Sequence, residues 1–206
     1  MKKNMRIIKK SITGVLFTFF AILALFTNQL KAEEGQFGFG VELGWTPVDI
    51  GAEETAQSIA NASGSTVTAE YDTGAFVGRA FGEYGFSSNL GIEVGYFQTS
   101  GAGATYKIGA NSASEEYDIH GLDLSAVFKS PEGFFGKVGL HSSTIDGAAN
   151  VTIGGTSYSA TASKTGTGAL IGGGIDSDNI RYSFTHYADV AGLDTSMSFF
   201  SVGYLF

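Results

Sequence analysis

Eight stretches of the chain alternate between apolar residues and polar residues or glycine with a period of two. That period belongs to a strand with two unlike faces. In Gln36–Trp45 one face reads Phe37, Phe39, Val41, Leu43, Trp45 and the other Gly38, Gly40, Glu42, Gly44. Residues 75–86 set Phe76, Ala80 and Tyr84 against Val77, Arg79, Phe81 and Glu83. Residues 90–98 set Leu90, Ile92, Val94 and Tyr96 against Gly91, Glu93 and Gly95. In 117–128, Leu122, Leu124, Ala126 and Phe128 oppose Gly121, Asp123 and Ser125. In 134–144, Phe134, Val138 and Leu140 oppose Lys137, Gly139, His141 and Ser143. The glycine-rich 166–175 is the sixth strand. Residues 180–187 carry Ile180, Tyr182 and Phe184 against Arg181, Ser183 and Thr185. The last, 197–206, carries Phe200, Val202, Tyr204 and Phe206 against Ser201 and Gly203.

The connections alternate in length. Residues 87–89, 129–132 and 176–179 are tight turns of turn-forming residues. Residues 46–74, 99–116, 145–165 and 188–196 are longer loops rich in Ala, Ser, Thr, Gly and Asn. Short turns at one end and long loops at the other are the habit of outer-membrane barrels. The pattern predicts an all-β fold, an eight-stranded antiparallel up-and-down transmembrane β-barrel, with both termini on the periplasmic side.

Two features predict that the apolar face points outward. Glycine shares the polar face, which leaves room for long charged side chains in a narrow interior. Aromatic residues gather near strand ends, as in the two interfacial belts of membrane proteins. Trp45, Phe76, Tyr96 and Phe200 fall towards one rim, and Phe37, Tyr84, Phe86, Phe134, Tyr204 and Phe206 towards the other. A soluble ligand-binding barrel would turn the apolar face inward.

The beginning of the chain is of another kind. Lys2, Lys3, Arg6, Lys9 and Lys10 precede the apolar run Ser11–Phe26, and Leu30-Lys31-Ala32 ends on a small residue. This is the layout of a secretory signal peptide, residues 1–32, cut between Ala32 and Glu33. The expected mature domain is 33–206. It holds 6 of the 12 Lys and Arg and all 20 Asp and Glu, a net charge of −14. So acidic a product is not expected to bind nucleic acid, which needs phosphate contacts from Lys and Arg. The chain has no cysteine, which excludes disulfides, thiolate nucleophiles and Cys-based metal sites.

Several stretches resemble the OmpA/OmpX-type family of small outer-membrane barrels. They are GRAFGEYGFSSNLGIEVGYFQTS (Gly78 to Ser100), FFGKVGLHSS (Phe134 to Ser143), IRYSFTHYADVAG (Ile180 to Gly192) and the closing SFFSVGYLF. The resemblance implies a barrel without the peptidoglycan-binding domain of the larger relatives. It implies outer-membrane lipid and lipopolysaccharide as surroundings, and the barrel-assembly machinery as a partner during biogenesis. The alternate Phe200, Val202, Tyr204 and terminal Phe206 resemble the sorting signal that this machinery reads.

The candidate chemistry lies on the polar face. Glu42, Arg79, Glu83, Glu93, Asp123, Lys137, His141 and Arg181 come from different strands and carry opposite signs. Buried charges must be paired, so these residues are expected to form a network filling the lumen. The same set would serve a low-conductance pore in which Arg79, Lys137 or Arg181 changes partner. Catalysis is not expected. His186-Tyr187-Ala188-Asp189 resembles the His-x-Ser-Asn stretch of barrel lipid A deacylases, but Ala188 stands where the nucleophilic serine belongs. No cofactor and no metal are expected. Asp118, His120 and His141 lack ligand spacing, and Gly172-Gly173-Gly174 is not followed by the Lys-Ser/Thr of a phosphate loop. Asp49, Glu53, Glu54, Glu70 and Asp72 crowd the first loop, and Glu115, Glu116 and Asp118 end the second. Such loops suit solvated surface, or contact with bridging divalent cations or a host or environmental ligand. A structural or surface-interaction role in the envelope is the leading expectation.

Overall fold

A computed structural model of the chain describes residues 35–48 and 51–206. The expected leader and its cut at Ala32 and Glu33 lie outside the described residues. The strands are β1 (Phe37–Pro47), β2 (Thr68–Tyr71), β3 (Gly74–Gly85), β4 (Leu90–Thr99), β5 (Ala102–Ile108), β6 (Asn111–Lys129), β7 (Phe134–Ile153), β8 (Thr156–Ser177), β9 (Ile180–Tyr187) and β10 (Met197–Leu205). One helix, α1 (Ala52–Ser63), precedes β2.

Eight of these strands close a ring. β1 pairs with β3, and β3, β4, β6, β7, β8, β9 and β10 follow in antiparallel order. β10 returns to β1, with Gly40 opposite Leu205 and Trp45 opposite Phe200. Closure leaves the wall without an open strand edge, as hydrocarbon surroundings demand. The fold is thus the eight-stranded up-and-down barrel that the alternation predicts.

The two faces of the wall are inverted relative to a soluble protein. Leu43 and Phe76 are 70% and 72% exposed on the outside. Glu93 and Arg181 are 0% exposed on the inside. A continuous apolar exterior is costly in water and favourable in lipid. At the hairpin end Phe76, Trp45, Phe200 and Phe184 stand in register across four neighbouring strands. At the turn end Phe37 lies 4.7 Å from Tyr84, and Tyr84 lies 5.2 Å from Phe86, centroid to centroid. Phe206 departs from its expected outward place. It is buried, its amide donates to the Phe39 carbonyl, and its ring packs edge-on against Tyr204 at 5.0 Å.

The stretches read as long loops carry structure of their own. Residues 99–116 and 145–165 are mostly strand, prolonging β6, β7 and β8 well past the apolar band. Ser, Thr and Ala occupy both faces there, so the alternation that marks the barrel wall is silent. Thr, Val and Ile still favour extended backbone. Between Gln98 opposite His120 and Ala102 opposite Tyr117, three residues face two. This is a bulge, with Gly101 at φ 83. β2 adds to the outer edge of β5, and α1 covers that sheet with Ala52, Ala56 and Ile59 against Ala69, Ala104, Tyr106 and Ala113. Gly154 and Gly155, at φ 56 and 83, make the turn between β7 and β8.

Candidate functional site

The polar face of the barrel wall converges on the lumen. Glu42 on β1, Arg79 and Glu83 on β3, Glu93 on β4, Asp123 on β6, Lys137 and His141 on β7, and Arg181 on β9 are all buried. Period two places them there, because each sits an even number of residues from its inward neighbours on its own strand.

Arg79 is the centre of the upper group. Its Nε and Nη2 donate to the Asp123 carboxylate at 2.9 and 2.7 Å. Nη1 donates to Glu42 at 3.1 Å and Nη2 to Glu93 at 2.6 Å. Arg181 repeats the arrangement lower down. Its Nε and Nη2 donate to Asp176 at 2.8 and 3.0 Å, and Nη1 donates to the other oxygen of Glu93 at 2.7 Å. Glu93 therefore joins the two guanidinium groups, and Lys137 approaches it at 3.4 Å. Lys129 pairs with Glu83 at 2.5 Å. Bidentate arginine–carboxylate pairs fix geometry as well as charge. Phe81 and Phe135 complete the packing, with the Arg181 guanidinium 4.7 and 4.3 Å from their ring centroids.

Space for these side chains comes from glycine. A Cβ added at Gly95 would lie 2.5 Å from Nη2 of Arg79, and one at Gly203 would lie 2.7 Å from Cγ of Glu42.

Sequence reasoning missed four participants. Lys129 and Asp176 lie in stretches that the pattern reads as turns, whereas one is the last residue of β6 and the other the next-to-last of β8, and both point inward. Extending the inward series Asp123, Ser125, Val127 by one step reaches Lys129. Tyr187 donates to Asp123 at 2.8 Å, and Ser183 donates to Glu42 at 2.9 Å. Both lie on the inward face of β9 with Arg181.

Towards the hairpin end the lumen changes from charged to apolar. Val77, Phe97, Leu170, Tyr187, Val190, Met197 and Phe199 form one buried cluster. Tyr187 stacks on Phe199 at 5.8 Å and tilts against Phe97 at 4.6 Å. The loop after β9 folds into the barrel mouth and supplies Val190 and Ala191, both buried. Three described hydrogen bonds tie it to the wall. The Ala188 amide donates to the Ala169 carbonyl at 2.9 Å, and the Ala191 amide donates to Ser143 Oγ at 2.8 Å. Nε2 of His141 donates to the Ala188 carbonyl at 2.7 Å. Asp189 and Ala191 adopt left-handed backbone at φ 53 and 55, a conformation that non-glycine residues hold only when their surroundings impose it.

The remaining candidates are dispersed. His120 lies outside the wall, 3.6 Å from Asp146, while His141 is inside. Among the described residues no three His, Asp or Glu side chains are grouped to hold a metal. His186 sits on the outward face and its Nδ1 lies 2.7 Å from Ser198 Oγ on β10. Glu53 accepts from Tyr71, Glu70 pairs with Lys107 at 3.1 Å, Asp72 accepts from the Gly103 amide at 2.9 Å, and Glu115 accepts from Tyr106 and Tyr117 at 2.7 and 2.8 Å. These acidic residues serve the projecting sheet. Phe200, Val202 and Tyr204 stand exposed on the outward face of β10.

Residues 32–188 match the model of the OmpA-like transmembrane domain. The chain belongs to that family. No curated protein matches it in sequence. Among solved structures it is similar to Ail, the attachment invasion locus protein of Yersinia pestis. The identity is 15% and the TM-score 0.51, covering 84% of this chain and 99% of that one. Ail in complex with the heparin analogue sucrose octasulfate matches at 13% identity and a TM-score of 0.52, covering 82% and 99%. OprG from Pseudomonas aeruginosa matches at 13% identity and a TM-score of 0.47, covering 85% and 98%. The chain is an outer-membrane β-barrel of the OmpA-like kind.

Proposed function

We propose that the barrel is a sealed membrane anchor and that its activity resides in the sheet projecting from the hairpin end. In this reading the termini and short turns face the periplasm and residues 99–116 and 145–165 face the outside. The observation that carries it is the filled lumen. A network of paired charges occupies one part and an aromatic cluster capped by Val190 and Ala191 occupies the next. Conduction would require both to part, so a static pore is disfavoured. Outward Phe200, Val202 and Tyr204, with Phe206 beside them, are the proposed assembly signal for the barrel-assembly machinery. Outer-membrane lipid and lipopolysaccharide are the proposed surroundings of the apolar band.

The projecting sheet is acidic. Glu53, Glu54, Glu70, Asp72, Glu115, Glu116, Asp118 and Asp146 stand against Lys107 and Lys164. A polysulfated sugar of the kind seated on Ail would be repelled by it. The proposed role is contact with a neutral or cationic surface. Nothing in the arrangement supports hydrolysis, because Ser198 and His186 stand at the outer wall without a described acidic partner. The test is a truncation that shortens the β7–β8 hairpin by removing residues 147–162. Loss of binding to host or environmental surfaces, with the barrel still folded, supports the reading. Undiminished binding contradicts it.

A further inference from the structure

The projecting sheet ends on an open strand. β7 pairs with β8 along the whole of its length, from Phe134 opposite Ile175 to Ile153 opposite Thr156. On the other side β9 pairs only with Leu170–Ser177, and the loop at Ala188 and Ala191 covers residues 166–169. On that second side residues 156–165 have no described strand, and all ten are exposed.

Natural edge strands are guarded by charges, proline, bulges or shortness. This one reads TSYSATASKT. It has no proline and no glycine, and its single charge is Lys164. Elsewhere the projecting part is acidic, so two copies meeting there would repel. Along this edge they would not.

We infer that the 156–165 edge pairs with the same edge of a second copy seated in a facing membrane. This pairing rests on the surface-interaction role proposed above and supplies its partner. Antiparallel pairing of two identical strands requires a two-fold axis perpendicular to the sheet. The sheet continues a barrel wall, whose normal is radial and lies in the membrane plane. That axis reverses the barrel direction, so the two copies belong to opposed membranes rather than to one. Pairing centred on Ala160 sets Lys164 opposite Thr156 of the second copy, and pairing centred on Thr161 sets it opposite Tyr158. Neither register brings like charges together. Within this edge either register overlaps about nine residues, or about 31 Å at roughly 3.4 Å per residue for antiparallel strands. One such contact is weak. Many between two membranes act together through effective concentration.

The test uses the folded barrel reconstituted into two vesicle populations with donor and acceptor lipids. Mixing is expected to raise energy transfer through tethering. The double variant Ala160→Glu, Thr161→Glu places acidic groups opposite their own copies and is expected to abolish tethering. Asn150→Glu, on the central strand β7, is expected to preserve it. Heat-modifiable gel mobility establishes that each variant is folded. The chain has no cysteine, so Ala160→Cys adds a clean second readout: an oxidised dimer across mixed populations. No tethering by the unaltered protein, equal tethering by the edge variant, or equal tethering to protein-free vesicles would overturn self-pairing. If tethering fails while the truncation still lowers binding to other surfaces, the partner is wrong and the surface role stands.

Discussion

Arg79 and Asp123 form a two-pronged ion pair across the lumen, with Nε and Nη2 at 2.9 and 2.7 Å from the two carboxylate oxygens. Both side chains are buried, so neither charge has water to fall back on. Removing one partner of such a pair costs about 3–5 kcal/mol, because the other is left uncompensated. Asp123→Ala is expected to lower barrel stability by about that amount in urea unfolding from vesicles. A change within experimental error would mean that Glu42 and Glu93 carry the guanidinium alone.

Glu93 touches Arg79, Arg181 and Lys137, more cations than any other lumen carboxylate described. Glu93→Gln keeps the shape but removes the charge shared by all three. Its unfolding free energy should fall further than that of Lys137→Met, which breaks only the 3.4 Å contact. The reverse order would place the centre of the network elsewhere.

Gly95 makes room for Arg79. Its Cβ position lies 2.5 Å from Nη2, so Gly95→Val forces the guanidinium to move. Overpacking of this kind costs about 1–3 kcal/mol. Gly78, which faces the outside with the nearest neighbour of its Cβ position at 3.9 Å, is the control. Gly78→Ala should leave unfolding in urea unchanged.

In the projecting sheet, burial and the hydrogen bond to Glu115 push the Tyr106 hydroxyl up to about 12. The folded value lies above the ordinary tyrosine value near 10. Its contribution to the contact between α1 and the sheet is therefore complete below about pH 10 and lost as pH rises towards 12. Tyrosinate absorbance should show a late step in that window, and Tyr106→Phe should remove it. A titration unchanged by the substitution would contradict the assignment.

How much of this was legible in the sequence depends on where two faces differ. Across Phe37–Trp45 or Leu90–Tyr96, lipid and lumen select opposite chemistry, and alternation exposes both strand and orientation. Across residues 156–165 both faces meet water, so Ser, Thr and Ala fill each and the strand leaves no periodic trace. Lys129 and Asp176 were hidden by their position at strand ends, beside turn residues. The seal at the barrel mouth was hidden for another reason. Ala188 reaches His141 and Ala169, and Ala191 reaches Ser143, only through the closed ring, a relationship that local pattern does not carry. Phe206 obeys the alternation in sequence and breaks it in space, since its amide is drawn to Phe39.

The seal has its own consequence. Val190→Asp places a charge among Phe97, Tyr187 and Phe199 and should loosen the loop from the mouth. Planar-bilayer recording should find the unaltered protein silent and the variant intermittently conducting. Steady conductance by the unaltered protein would show that the lumen opens without displacing the loop.

Orientation in the membrane decides which surface the bacterium presents. The protein has no cysteine, so single cysteines report without interference. Ser157→Cys lies on the projecting β8, and Asp178→Cys lies in the turn between β8 and β9. With a membrane-impermeant maleimide on intact cells, labelling is expected at position 157 and none at 178 until the outer membrane is opened. Labelling at 178 and protection at 157 would contradict the proposed orientation.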